Sequence, residues 1–252
     1  MGQSFFWYEL LTTDPAAAAD FYADVVGWRP QSYDDTGAYT VLHAGQRGIG
    51  GIMKQPETHR ATGAPPCWLG YIHSPDVDAD TAAIMQAGGI VHEPPFDVPD
   101  VGRLAAVADP QGAVFMLMTP QGRERPPVAP MTPGHVGWHE LYANDWSSAF
   151  DFYAGQFGWI KTEAMDMGPM GTYQLFATDG ESCGAMMNRP EGVPAPVWQF
   201  YFIVPAIDAA AARVIERGGQ ILMGTHQVPG GNWITVCSDP QGAVFALVGP
   251  ER

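Results

Sequence analysis

The heptapeptide Asp109-Pro110-Gln111-Gly112-Ala113-Val114-Phe115 recurs unchanged as Asp239-Pro240-Gln241-Gly242-Ala243-Val244-Phe245. Seven identical residues at one offset mark a tandem duplication, so every feature of one half has a counterpart to be compared with. Asp-Pro-Gln-Gly reads as a turn, with Pro at its second position and Gly at its close, and Ala-Val-Phe as the start of a buried strand.

The order around the repeat predicts four β-α-β-β-β modules. Phe5–Leu11 is an aromatic run suited to a strand. Asp14-Pro15 then caps a helix whose apolar stripe is Ala18, Phe21, Tyr22 and Val25. Short strands are expected around Trp28–Tyr33, Tyr39–His43 and Gly48–Met53, and a polar connection over Gln55–Pro66. The order restarts with a strand at Trp68–His73, a helix over Asp78–Ala87 stopped by Gly88-Gly89, and strands at Ile90–His92, Arg103–Ala108 and Ala113–Met118. Pro94–Pro99 is too rich in proline for a central strand. The first half is then replayed: Trp138-His139-Glu140-Leu141 matches Trp7-Tyr8-Glu9-Leu10, Asp145 matches Asp14, Phe152-Tyr153 matches Phe21-Tyr22, and Tyr173 matches Tyr39. Pro120–Pro133, with five prolines and Arg123-Glu124-Arg125, reads as a linker.

Composition narrows the function. A net charge of −15 disfavours nucleic acid and anionic membranes as partners. No run of about 18 apolar residues predicts a spanning helix, and no secretory signal stands at Met1–Phe5. Cys67, Cys183 and Cys237 form no CxxC pair, which fits a reducing cytoplasm. No nucleophile elbow, phosphate loop or dinucleotide fingerprint is present.

The strand–Asp–helix–Phe-Tyr–Gly run (Trp7 to Trp28, Trp138 to Trp159), the Gly-Gly after the second helix and the closing Asp-Pro-Gln-Gly strand resemble the vicinal-oxygen-chelate superfamily. That superfamily includes glyoxalase I, extradiol dioxygenases and bleomycin-resistance proteins. The resemblance covers nearly the whole chain and is nearest to tandem glyoxalase-like proteins. It implies an α+β fold in which four βαβββ modules form two tandem cupped-sheet domains, 1–119 and 134–252, with the linker at 120–133. Metal-dependent members carry His, Gln or Glu at four positions inside each cup. Here the matching positions hold Trp7 and Trp138, Gly51 and Gly184, Leu69 and Gln199, and Met116 and Ala246. Only Gln199 could bind a metal, and divalent metals need several converging N or O donors. No metal or other cofactor is therefore expected. A displaced site combining Glu with a histidine is the alternative, although none of the seven histidines matches another between the halves.

Strand alternation puts Trp7 with Glu9, and Trp138 with Glu140, inside the cups, while Tyr8, Leu10, His139 and Leu141 face the helices. Tyr71 and Tyr201 share the inner face. An indole beside a carboxylate suits a flat ligand that donates hydrogen bonds or carries positive charge. The candidate ligand-binding residues are Trp7, Tyr71, Met116, Trp138, Gln199 and Tyr201, and Glu9 and Glu140 are the candidate catalytic bases. Three readings stand at this point. The first is a metal-independent cytoplasmic binder of a small aromatic or hydrophobic molecule. The second is a lyase, isomerase or dioxygenase using a displaced metal or a Glu base, and the third is a structural module whose indoles plug the cups. Arg103 is read as a ligand-side cation or a surface residue. Asp34, Asp35 and Asp97 are read as solvated loop charges, and Met165, Met167, Met170, Met186 and Met187 as packing or a pocket rim. The partner is a small molecule, and the chain is expected as a monomer or homodimer.

Overall fold

The computed structural model describes residues 3–61, 63–122, 126 and 128–252. Met1, Gly2 and the Arg123-Glu124-Arg125 segment of the expected linker lie outside the described residues. The element order repeats as the sequence predicts. The first module is β1 (Phe5–Thr12), α1 (Pro15–Val26), β2 (Arg29–Ser32), β3 (Tyr39–Ala44) and β4 (Arg47–Lys54). After a short helix α2 (Glu57–Ala61) come β5 (Cys67–His73), α3 (Val77–Gln86), β6 (Ile90–Val98), β7 (Gly102–Ala108) and β8 (Val114–Pro120). The third module is β9 (Val136–Ala143), α4 (Trp146–Phe157), β10 (Ile160–Asp166), β11 (Thr172–Ala177) and β12 (Gly184–Asn188). The fourth is β13 (Val197–Ile203), α5 (Ile207–Glu216), β14 (Gln220–Gln227), β15 (Trp233–Ser238) and β16 (Val244–Gly249).

The strands form two 8-stranded mixed sheets of identical order, β2-β3-β4-β1-β5-β8-β7-β6 and β10-β11-β12-β9-β13-β16-β15-β14. This is the expected α+β architecture. Local chemistry sets the helix starts. Asp14 accepts from the Ala17 N–H at 3.1 Å, and Asp145 accepts from Ser147 and Ser148. The predicted stripe of α1 is buried at Ala18, Phe21, Tyr22 and Val25.

Two expectations need correction. The connection after Gln55 contains α2, in which Glu57 pairs with Arg60 one turn on. The strand expected over Ile90–His92 runs on through Pro94-Pro95 to Val98 as β6, in keeping with a segment too rich in proline for a central strand. That strand is at the sheet edge, and its register against β7 shifts between Val91 and Glu93 and again between Glu93 and Phe96. An edge strand with bulges tolerates a residue that has no N–H to give.

Packing divides the residues into two compact units, each assembled from both halves of the sequence. One contains Met1–Phe6, Gly70–Pro126 and Trp138–Gln199. The other contains Trp7–Leu69, Pro127–Gly137 and Phe200–Arg252. The repeated heptapeptide has the same task in both. In the first unit Asp109 receives the Gln111 and Ala113 N–H groups at 2.8 and 3.0 Å on one oxygen and the Tyr153 hydroxyl at 3.2 Å on the other. Tyr153 in turn receives the Trp198 indole N–H at 2.9 Å. In the second unit Asp239 closes its own turn through Gln241 and Ala243 and receives Tyr22, which receives Trp68 at 2.9 Å. Each unit thus has a buried Trp→Tyr→Asp chain whose Asp and Tyr come from opposite halves of the sequence. Burial raises the Asp109 and Asp239 carboxyls above their usual range. Phe115 packs on Tyr153 and Phe157, and Phe245 on Phe21, Tyr22 and Phe202. Gly112 and Gly242 close the turns at φ 98° and 99°, a backbone region that a side chain resists. Identity across the repeat therefore follows from an identical packing problem solved twice.

Candidate functional site

Alternation along β1 separates two environments. Tyr8 packs against Phe200 with ring centroids 5.2 Å apart. Trp7 and Glu9 point to the other face. There the Trp7 indole N–H donates to the Tyr39 hydroxyl at 3.1 Å, and Tyr39 hydrogen-bonds Glu9. Glu9 is buried, with 7 % exposure. Burial, reinforced by the Glu9 charge, pushes the Tyr39 phenol far above its usual range, so Tyr39 keeps its proton and donates it to the carboxylate. Cys67 is near the same carboxylate, and burial, then that charge, push its thiol up to about 11. A thiol held protonated is a poor nucleophile and a poor metal ligand.

Gly51 is opposite Glu9 in the β1–β4 register. A Cβ at Gly51 would fall inside the Tyr39 phenol. Glycine at this strand position leaves the space that a ligand side chain would start from, and Tyr39 occupies it.

The second unit-level group repeats this on β9. His139 faces away from Trp138 and Glu140. It is stacked on Phe5 at 5.0 Å, and its Nδ1–H donates to the Cys183 carbonyl at 2.9 Å. Burial lowers its pKa to about 4, which keeps it neutral. On the opposite face Trp138 donates to Tyr173 at 2.8 Å, and Tyr173 hydrogen-bonds Glu140. Burial first, then Glu140, raise the Tyr173 phenol far above its usual range. Glu140 also accepts the Tyr142 hydroxyl at 2.9 Å, a bond that Leu11, the counterpart of Tyr142, cannot make. Glu140 is 4 % exposed.

Each indole and its carboxylate share a face, joined through a tyrosine. The match of Tyr39 with Tyr173 across the duplication is the one sequence signal for these tyrosines. Nothing in the sequence placed either beside its Trp and Glu. The other candidates fall as follows. Tyr71 pairs with Met116 between β5 and β8, and Tyr201 pairs with Ala246 between β13 and β16; all four are buried. Gln199 is buried, 7 % exposed, and its Nε2 has no hydrogen-bond partner among the described residues. One matching was out of register. Gly184 pairs with His139, as Gly50 pairs with Tyr8, so the structural counterpart of Gly51 is Ala185, opposite Glu140. Arg103 is a surface residue: it bonds Asp78 at 2.5 Å and Asp97 at 3.0 Å. Asp97 is in β6 and ion-paired, rather than in a free loop.

The positions at which relatives hold metal carry no set of donors that fits a divalent ion. Trp, Gly, Leu, Met and Ala supply none and Gln199 supplies a single carboxamide, the space at residue 51 holds a phenol that keeps its proton, and the Cys67 thiol is protonated. Among the described residues no group of three or more His, Cys, Asp or Glu could hold a metal ion. Two surface clefts, of about 300 and 320 Å³, lie away from these groups. The first is beside Gln111 and α4, and the second beside Arg103. Neither gathers a buried polar group, so the Trp–Tyr–Glu arrangements are the better candidates for chemistry.

The sequence profile of the Glyoxalase/Bleomycin resistance protein/Dioxygenase superfamily matches residues 4–117 and 132–247. The chain is 33 % identical over 251 residues to "Putative glyoxylase CFP32" of Mycobacterium tuberculosis, covering 97 % of this chain and 94 % of that protein. It is 32 % identical over 256 residues to "Anthracycline biosynthesis protein DnrV" of Streptomyces peucetius, covering 96 % and 91 %. Among solved structures, the Mn(II)-bound glyoxalase from Novosphingobium aromaticivorans superposes with a TM-score of 0.70 at 17 % identity, covering 100 % of this chain and 83 % of that one. The 2,3-dioxygenase LapB from Pseudomonas sp. KL28 gives 0.69 at 13 %, covering 100 % and 94 %. At those identities the likeness is one of fold.

Proposed function

The chain belongs to the Glyoxalase/Bleomycin resistance protein/Dioxygenase superfamily, and within it we propose a metal-independent, cytoplasmic binder of a small planar aromatic or hydrophobic molecule. The observation that carries this reading is the Tyr39 phenol standing where the side chain of a ligand residue at position 51 would begin, bonded to both Trp7 and Glu9. The same Trp–Tyr–Glu chain recurs as Trp138, Tyr173 and Glu140. Selection for a metal does not explain it, and an indole surface held rigid beside a buried carboxylate suits a flat ring with a polar edge. Two relatives named for anthracycline biosynthesis support the ligand class, because an anthracycline is built on planar fused rings. The test is isothermal titration of EDTA-treated protein with a panel of fused-ring aromatics that includes an anthracycline aglycone. Saturable binding unchanged by EDTA is expected. Binding that disappears with the chelator and returns with Mn²⁺, Fe²⁺ or Zn²⁺ sinks the metal-independent reading.

A second reading rests on the burial of both carboxylates beside phenols that stay protonated. Such a carboxylate can take a proton from a bound carbon or hydroxyl acid and return it, the work of a general base. Turnover of a hemithioacetal by metal-free protein, lost in Glu140→Gln or Glu9→Gln, is its signature.

A further inference from the structure

Gln199 is a buried polar residue of the unit that holds Trp138, and it lies outside the Trp–Tyr–Glu chain. Its neighbour Trp198 points to α4, where it bonds Tyr153. Alternation turns Gln199 to the other face of β13, which adjoins β9 in the sheet. Trp138 and Glu140 are on that same face, opposite to His139. Gln199, Trp138, Tyr142, Glu140 and Tyr173 all belong to one compact unit. The Gln199 Nε2 is shielded from solvent and has no acceptor among the described residues. A buried donor left without an acceptor costs about 1–3 kcal/mol. Glu140, on the same face, accepts from Tyr142 and Tyr173 and is not the acceptor of this amide.

We propose that Gln199 determines specificity at the Trp138–Glu140 site by donating from Nε2 to a carbonyl oxygen, so that the site takes planar aromatic ketones or quinones in preference to the bare hydrocarbons. The proposal rests on the ligand-binding reading above and deepens it. A ligand with a ring ketone supplies the acceptor that Gln199 lacks, and one without it leaves the donor buried and unpaired. Leu69 holds the corresponding position in the first half and can make no such distinction.

The experiment compares 9-fluorenone with fluorene, the same tricycle with and without the carbonyl, by calorimetric titration of the full chain. Wild type is expected to bind fluorenone roughly tenfold tighter, the scale of one recovered hydrogen bond. The group around Trp7, with Leu69, contributes equally to both probes. Gln199→Leu and Gln199→Met are expected to lose the preference for fluorenone over fluorene, and a circular dichroism spectrum and urea midpoint matching wild type show that each variant is folded. A readout without substitution is the Gln199 side-chain amide proton resonance of wild type. It is expected to move downfield with fluorenone and stay in place with fluorene. Binding of both probes with equal affinity, a preference that survives in both variants, or an amide resonance that ignores fluorenone overturns the assignment of Gln199 while leaving aromatic binding intact. Failure of folded wild type to bind either probe overturns the ligand-binding reading itself.

Discussion

The two Trp–Tyr–Glu groups are built alike and finished differently. Both run from indole to phenol to buried carboxylate. Matched positions on the same and adjoining strands are Leu11, Gly51, Cys67 and Leu69 in the first half and Tyr142, Ala185, Val197 and Gln199 in the second. The first set is mostly apolar, and the second carries an extra phenol and a carboxamide. What the duplication preserves is the chain that orders the carboxylate. What it varies is the polarity at these matched positions, which under the proposed function is where discrimination between ligands would arise.

The largest test concerns the strand residue behind each group, His139 on β9 against Tyr8 on β1. The His139 pKa is depressed to about 4, whereas in the unfolded chain it is near 6.5. Between those values the unfolded state holds the extra proton, so stability falls as pH drops from about 6.5 to 4, by about 3 kcal/mol for this group. Urea unfolding across that range should show a shallower pH slope in His139→Phe. The Asp109 and Asp239 carboxyls, raised by burial, act in the opposite sense and are common to both proteins, so the difference isolates His139. Identical slopes would place the imidazole in a solvated environment.

Next is the glycine difference. Gly51→Ala drives a methyl group into the Tyr39 phenol and should destabilise by roughly 1–3 kcal/mol, with loss of the Trp7–Tyr39 bond. Ala185→Gly on the other side removes one buried methyl and should cost about 1 kcal/mol. Denaturant midpoints of the pair check this, and a silent Gly51→Ala would mean that Tyr39 does not occupy that space.

A smaller effect is expected from Tyr142→Phe, which deletes the second phenol from Glu140. A loss of about 1 kcal/mol in stability or ligand affinity should follow, and Leu11→Phe, the matched control, should alter the Glu9 group only through packing. If Tyr142→Phe changes neither quantity, the two carboxylates are functionally equivalent. Smallest of all is Arg103→Met. Arg103 has no basic counterpart and pairs with exposed Asp78 and Asp97. Its replacement should leave ligand titrations unchanged.

Much of the fold was legible because its signals are local. Asp14 and Asp145 announce helix starts through their own side chains, and the spacing of Ala18, Phe21, Tyr22 and Val25 is helical wherever it occurs. The inner faces were legible for the same reason, since alternation pairs Trp7 with Glu9 without reference to the rest of the chain. Tyr39 was not legible as their partner. It is on β3, beyond a helix and a strand, and only the β1–β4–β3 register and the empty Cα of Gly51 bring its hydroxyl to them. The glycine mismatch has a related cause. A Gly-Gly pair in β4 and a single glycine in β12 can be aligned two ways in sequence, and the cross-strand partners Tyr8 and His139 decide which is correct. Pro94 and Pro95 exclude a central strand, but the sequence does not say that an edge strand begun at Ile90 continues through them.

The sequence by itself determined that the chain is a duplication, the order of its strands and helices, and which residues of the first strands share a face. These follow from repetition, short-range periodicity and side-chain chemistry. Tertiary structure alone decided which halves supply each compact unit, that the Asp of the repeated heptapeptide anchors a tyrosine from the opposite half, and that each indole reaches its carboxylate through a phenol. A repeat shows which segments are alike. Which of them pack together is set by long-range burial, where each buried hydroxyl and carboxylate must find a partner however distant in sequence.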